Sequence, residues 1–253
     1  VTRRQFLGGM AALSVAPAAL GQEPRKPNII WIMADDLGVY DVGYLGQKHI
    51  QTPHIDRLAA EGMQFTQAYA GSTVCAPARS CLMTGQHTGH TTVRGNFSAI
   101  GKGRVPLDAD DVTVAEVLKK AGYATGIVGK WGLGEPDTPG IPNRQGFDFW
   151  FGYLNQRRAH SYYPDYLWRN ETKIPLNQGK TKTDYTHDLM TDEALGFVQR
   201  CGKNPFFLYV AYTIPHAKLE VPSLEPYADK DWSKSEKAYA AMVTRMDHDI
   251  GRL

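Results

Sequence analysis

Three cysteines in 253 residues are few, and an odd number excludes complete intramolecular pairing. No CxxC pair of the metal-binding kind occurs, and there are no internal repeats or low-complexity tracts. No apolar run reaches the ~20 residues that span a bilayer. Neither charge sign dominates. The 28 Lys and Arg are interspersed with 26 Asp and Glu for a net charge of +2, so nothing in the balance demands nucleic acid or an anionic membrane. What the chain has is 42% hydrophobic residues, enough to bury one sizeable core or two modest ones. The 25 glycines and 15 prolines imply tight turns and shaped loops, as found where active sites are built from strand-to-helix connections.

The first residues, Val1-Thr2-Arg3-Arg4-Gln5-Phe6-Leu7, precede an apolar run from Met10 to Leu20 broken only by Ser14 and Pro17. Paired arginines before a short hydrophobic region form the twin-arginine export pattern, and Ala19-Leu20-Gly21 offers small residues for cleavage near Gly21. Residues 1–21 are therefore expected to be a signal that sends the chain to the periplasm or outside the cell, with no stable membrane insertion after cleavage. Residues 22–27, with two prolines and mixed charges, are expected to be a linker.

Asn28 to Ala34 is a continuous apolar run of strand length, the mark of a strand buried on both faces of a parallel sheet. Asp35 and Asp36 follow at its carboxyl end, where ligands bind in open α/β sheets; they suit a hard cation, and equally a turn. Thr52 to Gly62 carries an N-cap Thr, Pro at the first helical position and a terminal Gly, which predicts a short helix. Phe65 to Ala70 predicts a short strand leading into Gly71-Ser72-Thr73-Val74-Cys75-Ala76-Pro77-Ala78-Arg79-Ser80-Cys81-Leu82-Met83-Thr84-Gly85. That stretch sets Cys75 at a helix entrance, with backbone N–H groups around Cys75 to Ala78 and the Arg79 guanidinium available to an oxyanion such as sulfate or phosphate. Cys75 is the thiol expected to stand alone, whereas Cys81 and Cys201 are open to pairing or to burial as thiols. His87 and His90 lie in the polar loop that follows, without carboxylate or thiolate partners at ligand spacing.

Thr113-Val114-Ala115-Glu116 is a capping box opening a helix that Gly122 closes, and the strand Tyr123 to Gly129 delivers Lys130. The same grammar recurs as a helix over Asp184 to Arg200, a buried strand over Pro205 to Ala211 with His216 beyond it, and a helix over Ser235 to Leu253. Helices alternating with apolar strands predict a doubly wound, mainly parallel α/β sheet with helices on both faces. Its strand ends would gather Asp35, Asp36, Lys130 and His216 at one edge. Gly132 to Lys182, which includes His160, shows no clear periodicity and is expected to be a long functional loop.

The Cys-x-Pro-x-Arg-x-x-Leu-x-Thr-Gly pattern of Cys75, Pro77, Arg79, Leu82, Thr84 and Gly85 resembles that of the formylglycine-dependent sulfatases, within the alkaline-phosphatase-like superfamily. Asp35-Asp36, Gly129-Lys130-Trp131, Pro205-Phe206-Phe207-Leu208 with Pro215-His216, and Asp249-Ile250-Gly251-Arg252-Leu253 support the resemblance in the right order. It implies a sulfuric ester hydrolase in which Cys75, converted to formylglycine by a formylglycine-generating enzyme, supplies a hydrate that attacks sulfur and expels the alcohol. Arg79 and Lys130 would hold formylglycine and sulfate oxygens. Asp35, Asp36 and residue 75 would meet calcium, and His216 would bind sulfate or assist the leaving group. The partner would be a sulfated small molecule or glycan.

Two departures accompany it. Gly132 stands where the family usually has a histidine, and His160 is the candidate substitute. The family also continues past the counterpart of Leu253 into a strand with an Asp-Asn pair, a second lysine and a smaller domain, so residues 28–253 are expected to be the N-terminal portion of the catalytic domain. The alternatives are a related phosphatase or phosphonate monoester hydrolase, and an inactive remnant that only binds sulfated ligands.

Overall fold

The computed structural model describes residues 25–97 and 104–253. The expected signal over 1–21 and half of the expected linker lie outside the described residues. Among the described residues no helix is long and apolar enough to cross a membrane.

The two longest apolar runs form neighbouring parallel strands, β1 (Ile29–Asp35) and β6 (Phe206–Pro215). All ten residues of β6 are buried. Its pleat sends Phe206, Leu208, Val210, Tyr212 and Ile214 into one core and Phe207, Tyr209 and Ala211 into the other. That is the period-2 behaviour of a strand covered on both faces. β2 (Ala124–Lys130) pairs with β6 on its other side, and β3 (Phe149–Tyr153) extends the parallel part. β4 (Tyr166–Arg169) and β5 (Thr172–Pro175) add an antiparallel edge, giving the order β1-β6-β2-β3-β4-β5.

One face of the sheet carries α4 (Thr186–Cys201) and α5 (Lys234–Arg252), whose Met190, Ala194, Phe197, Met242 and Met246 fill the first core. The other carries α2 (Cys75–Thr84) and α3 (Val114–Lys120), with Ala76, Met83 and Ala115 in the second core. The doubly wound expectation therefore holds. α3 opens on the expected capping box: Glu116 N–H donates to Thr113 Oγ1 at 3.2 Å while Thr113 N–H donates to Glu116 Oε2 at 2.8 Å. Cys81 and Cys201 are both buried free thiols.

Four expectations need correcting. β1 is not buried on both faces: it lies at the end of the strand order, and Ile30 and Trp31 are exposed. Phe65 to Ala70 is not a strand: Phe65 and Tyr69 are exposed, and among the described residues no ladder partner pairs with the segment. The span from Gly132 to Lys182 is not one loop, because β3, β4 and β5 lie within it. Strands of four or five residues are too short to show a period, and the Asn170–Glu171 turn between β4 and β5 makes both antiparallel. Thr52 does not cap α1 (Pro53–Glu61) with its side chain; its hydroxyl accepts instead from Gly43 N–H at 2.8 Å.

Gly129 sits at φ +113°, and an added Cβ would fall on the carbonyl of Ala211 in the adjoining β6. Left-handed strain and backbone overpacking would then act together. Gly129→Ala is expected to lower unfolding stability by about 3 kcal/mol, read from the midpoint of urea denaturation; a loss of less than about 0.5 kcal/mol would show that the sheet yields there.

Candidate active site

The carboxyl ends of three adjacent strands meet at one edge. β1 ends at Asp35, where a register shift opposes it to Pro215 of β6, and Asp36 turns the chain away at φ +62°. β2 ends at Lys130, and His216 follows β6 directly. The sequence expectation that these residues converge is met.

Asp35 and Lys130 are both buried, and Lys130 Nζ donates to Asp35 Oδ2 at 2.7 Å. Arg79 approaches the other carboxylate oxygen, with Nη2 3.5 Å from Asp35 Oδ1. Its Nη1 donates to the Lys130 carbonyl at 2.5 Å and lies 3.4 Å from the Tyr209 hydroxyl. Burial alone would raise the Asp35 pKa; the Arg79 and Lys130 charges outweigh it and hold the carboxyl below its ordinary value. One carboxylate thus faces two permanent cations in a dry setting. The group keeps a surplus positive charge, which suits an oxyanion.

Cys75 is the first residue of α2 and is a half-buried free thiol. Arg79 lies four residues on, one turn along the same face, so α2 carries the reactive position and its guanidinium together. Gly85 ends α2 in the left-handed conformation at φ +67°. Thr84 Oγ1 donates to the Ser80 carbonyl at 2.8 Å, tying the last turn back on itself. The ring of backbone donors is smaller than expected. Ala76 N–H donates to Asn96 Oδ1 at 3.0 Å, Ala78 N–H to the Val74 carbonyl at 3.0 Å, and Pro77 has none.

His216 Nδ1 pairs with the Ala217 carbonyl at 2.6 Å, which leaves Nε2 turned to Asp36 Oδ2 at 3.3 Å. His160 stacks on it, with ring centroids 4.2 Å apart and planes 16° from parallel. The 3-10 turn Arg158–His160 is fixed there by Tyr162, whose hydroxyl donates to the Thr213 carbonyl at 3.1 Å and to that of His216. Burial, then the charges of His216 and Lys130, lowers the His160 pKa and favours its neutral ring. His87 and His90 lie in the exposed loop after α2; His87 Nδ1 accepts from Gly89 N–H at 3.1 Å.

The carboxylates of Asp35 and Asp36 suit a hard cation in kind but not in number. A calcium ion takes about 6–8 oxygens, and among the described residues no group of three His, Cys, Asp or Glu side chains could hold a metal.

The sulfatase family model matches residues 27–253. The chain belongs to the sulfatase family. It is 36% identical over 220 residues to an arylsulfatase of Hemicentrotus pulcherrimus, covering 77% of this chain and 38% of that one. It is 33% identical over 268 residues to the N-acetylgalactosamine-6-sulfatase of Sus scrofa, covering 96% and 49%. Among solved structures, Ps i-CgsB in complex with k-i-k-neocarrahexaose superposes with a TM-score of 0.78 at 33% identity, over 90% of this chain and 54% of that one. The chain spans half or less of the length of these curated relatives. Its six-stranded sheet, helices on both faces and mainly parallel order are those of the sulfatase α/β fold.

Within this member of the family, three groups escaped the sequence reading. Asn96 and Tyr209 bind α2 residues through side chains no motif marks. Arg104 Nε lies 3.5 Å from Glu135 Oε1. Because Asp35 is buried between two cations, Lys130→Met is expected to destabilise the fold by about 3 kcal/mol, by leaving that carboxylate half-paired. Asp36→Asn, at an exposed carboxylate, should change stability by no more than about 0.5 kcal/mol. Urea unfolding in the presence of a chelator measures both, and equal effects would mean that the pair is not the restraint the geometry implies.

Proposed function

We propose that this chain forms part of the catalytic domain of a sulfuric ester hydrolase that cleaves a sulfated small molecule or glycan, with Cys75 as the precursor of a formylglycine. The carrying observation is that α2 places a half-buried free thiol one helical turn from Arg79, which is itself bound to the Asp35–Lys130 pair at the strand ends. A position to be modified has to be reachable, and Cys75 is. Among similar solved structures, one at 31% identity and TM-score 0.63 is BT4656 in complex with its substrate D-glucosamine-2-N,6-O-disulfate.

When formed, the hydrated aldehyde at residue 75 supplies a hydroxyl nucleophile toward the ester sulfur. Arg79 and Lys130 hold anionic oxygens, because sulfuryl transfer shifts charge onto oxygens that buried cations stabilise without reorganising. His216 would bind sulfate or give a proton to the departing alcohol oxygen. The neutral ring of His160 would take the proton of the attacking hydroxyl, which is the task the family gives to the histidine absent at Gly132. Asp35 and Asp36 are the side chains that would contribute to a calcium ion, as part of a fuller oxygen set. The twin-arginine-type signal supports export to the periplasm or beyond, and a formylglycine-generating enzyme would act on the chain before it leaves.

The test uses the protein purified from its own host at full length. Peptide mass spectrometry across residue 75 should show an aldehyde, and aryl sulfate should be cleaved in preference to aryl phosphate. Cys75→Ala should abolish turnover and His160→Ala should lower kcat about 100-fold. A fully thiol peptide at Cys75 would overturn the formylglycine reading; release from aryl phosphate alone would move the enzyme to the phosphatase side of the superfamily.

A further inference from the structure

Gly132 has φ +78°, and an ideal Cβ placed on it would fall on the carboxamide of Gln156. The space next to residue 132 is therefore occupied, but from a different part of the chain. Gln156 is only 3% exposed, and among the described residues neither its Oε1 nor its Nε2 has a partner. A buried carboxamide with both ends unpaired is costly, and a residue present only for packing would be better served by an apolar side chain of equal volume. The backbone around it is pinned from both sides. Trp131 N–H donates to the Tyr153 carbonyl at 2.9 Å, and Gly132 N–H donates to that of Leu154 at 3.0 Å. Asn155 Nδ2 donates to Glu135 Oε1 at 2.7 Å, while Asn155 Oδ1 accepts from Arg157 N–H at 2.9 Å. The Asn155 side chain beside it is engaged at both ends, whereas the Gln156 carboxamide is not.

A second unpaired donor belongs to the same surroundings. Arg104 lies 3.5 Å from Glu135 through Nε, and its buried Nη1 has no partner. Glu135 links it to Asn155, the residue before Gln156. Gly132 lies two residues beyond Lys130, so the unpaired Nε2 of Gln156 adjoins the end of β2 that carries the buried lysine of the site, and Arg104 is joined to it through Glu135 and Asn155. The ligand they call for accepts hydrogen bonds and carries negative charge.

We propose that Gln156 is a substrate-positioning residue of this sulfatase, its carboxamide Nε2 donating to an oxygen of the bound sulfate group from the space beside Gly132, with Arg104 as the accompanying cation. This rests on the sulfate-ester reading of the site and deepens it: the side chain lost at residue 132 is replaced by a hydrogen-bonding group that carries no charge. A carboxamide donates equally at every working pH, so its contribution to binding is independent of pH.

The experiment compares the full-length, modified enzyme with Gln156→Met, of similar volume and apolar, and Gln156→Glu, of the same shape but anionic. Aryl sulfate kinetics and calorimetric titration with inorganic sulfate are read beside the melting temperature. Gln156→Met is expected to keep or raise the melting temperature, to weaken sulfate binding at least tenfold and to raise KM for the ester by a similar factor, uniformly with pH. Gln156→Glu should weaken sulfate binding further. Unchanged sulfate affinity and KM in a folded Gln156→Met protein would overturn the proposal and leave Gln156 as packing. Absence of aryl sulfate turnover in the unsubstituted enzyme would instead strike the proposed function, while the sulfate titrations would still decide for or against Gln156.

Discussion

The ion cluster of Asp35, Lys130 and Arg79 is the constraint on which the rest of the site depends. Three elements distant in sequence, β1, β2 and α2, each bury one charge at the same point, and none of these charges could be buried without the others. Burial works against the Asp35 carboxylate and the two cations work for it, and the cations win. The same contacts fix the angle at which α2 meets the sheet: Arg79 Nη1 on the Lys130 carbonyl locks the helix to the end of β2, and Cys75 rides one turn above. Stability and chemistry are therefore not separable here. A change that relaxes the cluster also moves the reactive residue.

Much of this was legible in the chain. β6 announces itself as an apolar run without a polar break, because both of its faces are covered, and the Thr113–Glu116 capping box is a local motif that the structure reproduces atom for atom. The convergence of Asp35, Lys130 and His216 follows from topology alone, since parallel strands point their carboxyl ends the same way. Other features depend on distance in space and leave no local trace. Nothing around Arg79 says that its guanidinium is buried rather than solvated. Phe65 to Ala70 has strand-like composition, but a strand is made by its ladder partners, and here there are none. The β3 to β5 region hides its strands in segments of four or five residues, below the length at which a period can be told from chance.

His160 and Gln156 show two ways in which one substitution in a sequence pattern is answered by the fold. The histidine expected at 132 is replaced by glycine, and only glycine tolerates both the left-handed backbone and the side chain that crosses the space. His160 enters from the turn that Tyr162 fastens to the end of β6 and stacks on His216. Gln156 enters from the turn after β3. From the sequence, Gly132 reads as a loss. In space it is the condition that lets Gln156 approach.

The position of β1 explains why the adjacent carboxylates Asp35 and Asp36 differ in setting, one buried and one exposed. β1 is the outermost strand on its side of the sheet, paired only with β6, and Ile30 and Trp31 are exposed along it. Asp35 and Asp36 end that strand. Lys130 and Arg79 close around Asp35 from the sheet interior, and His216 stands beside Asp36. The cationic half of the site is thus built inside the sheet, where its geometry is enforced by buried pairs.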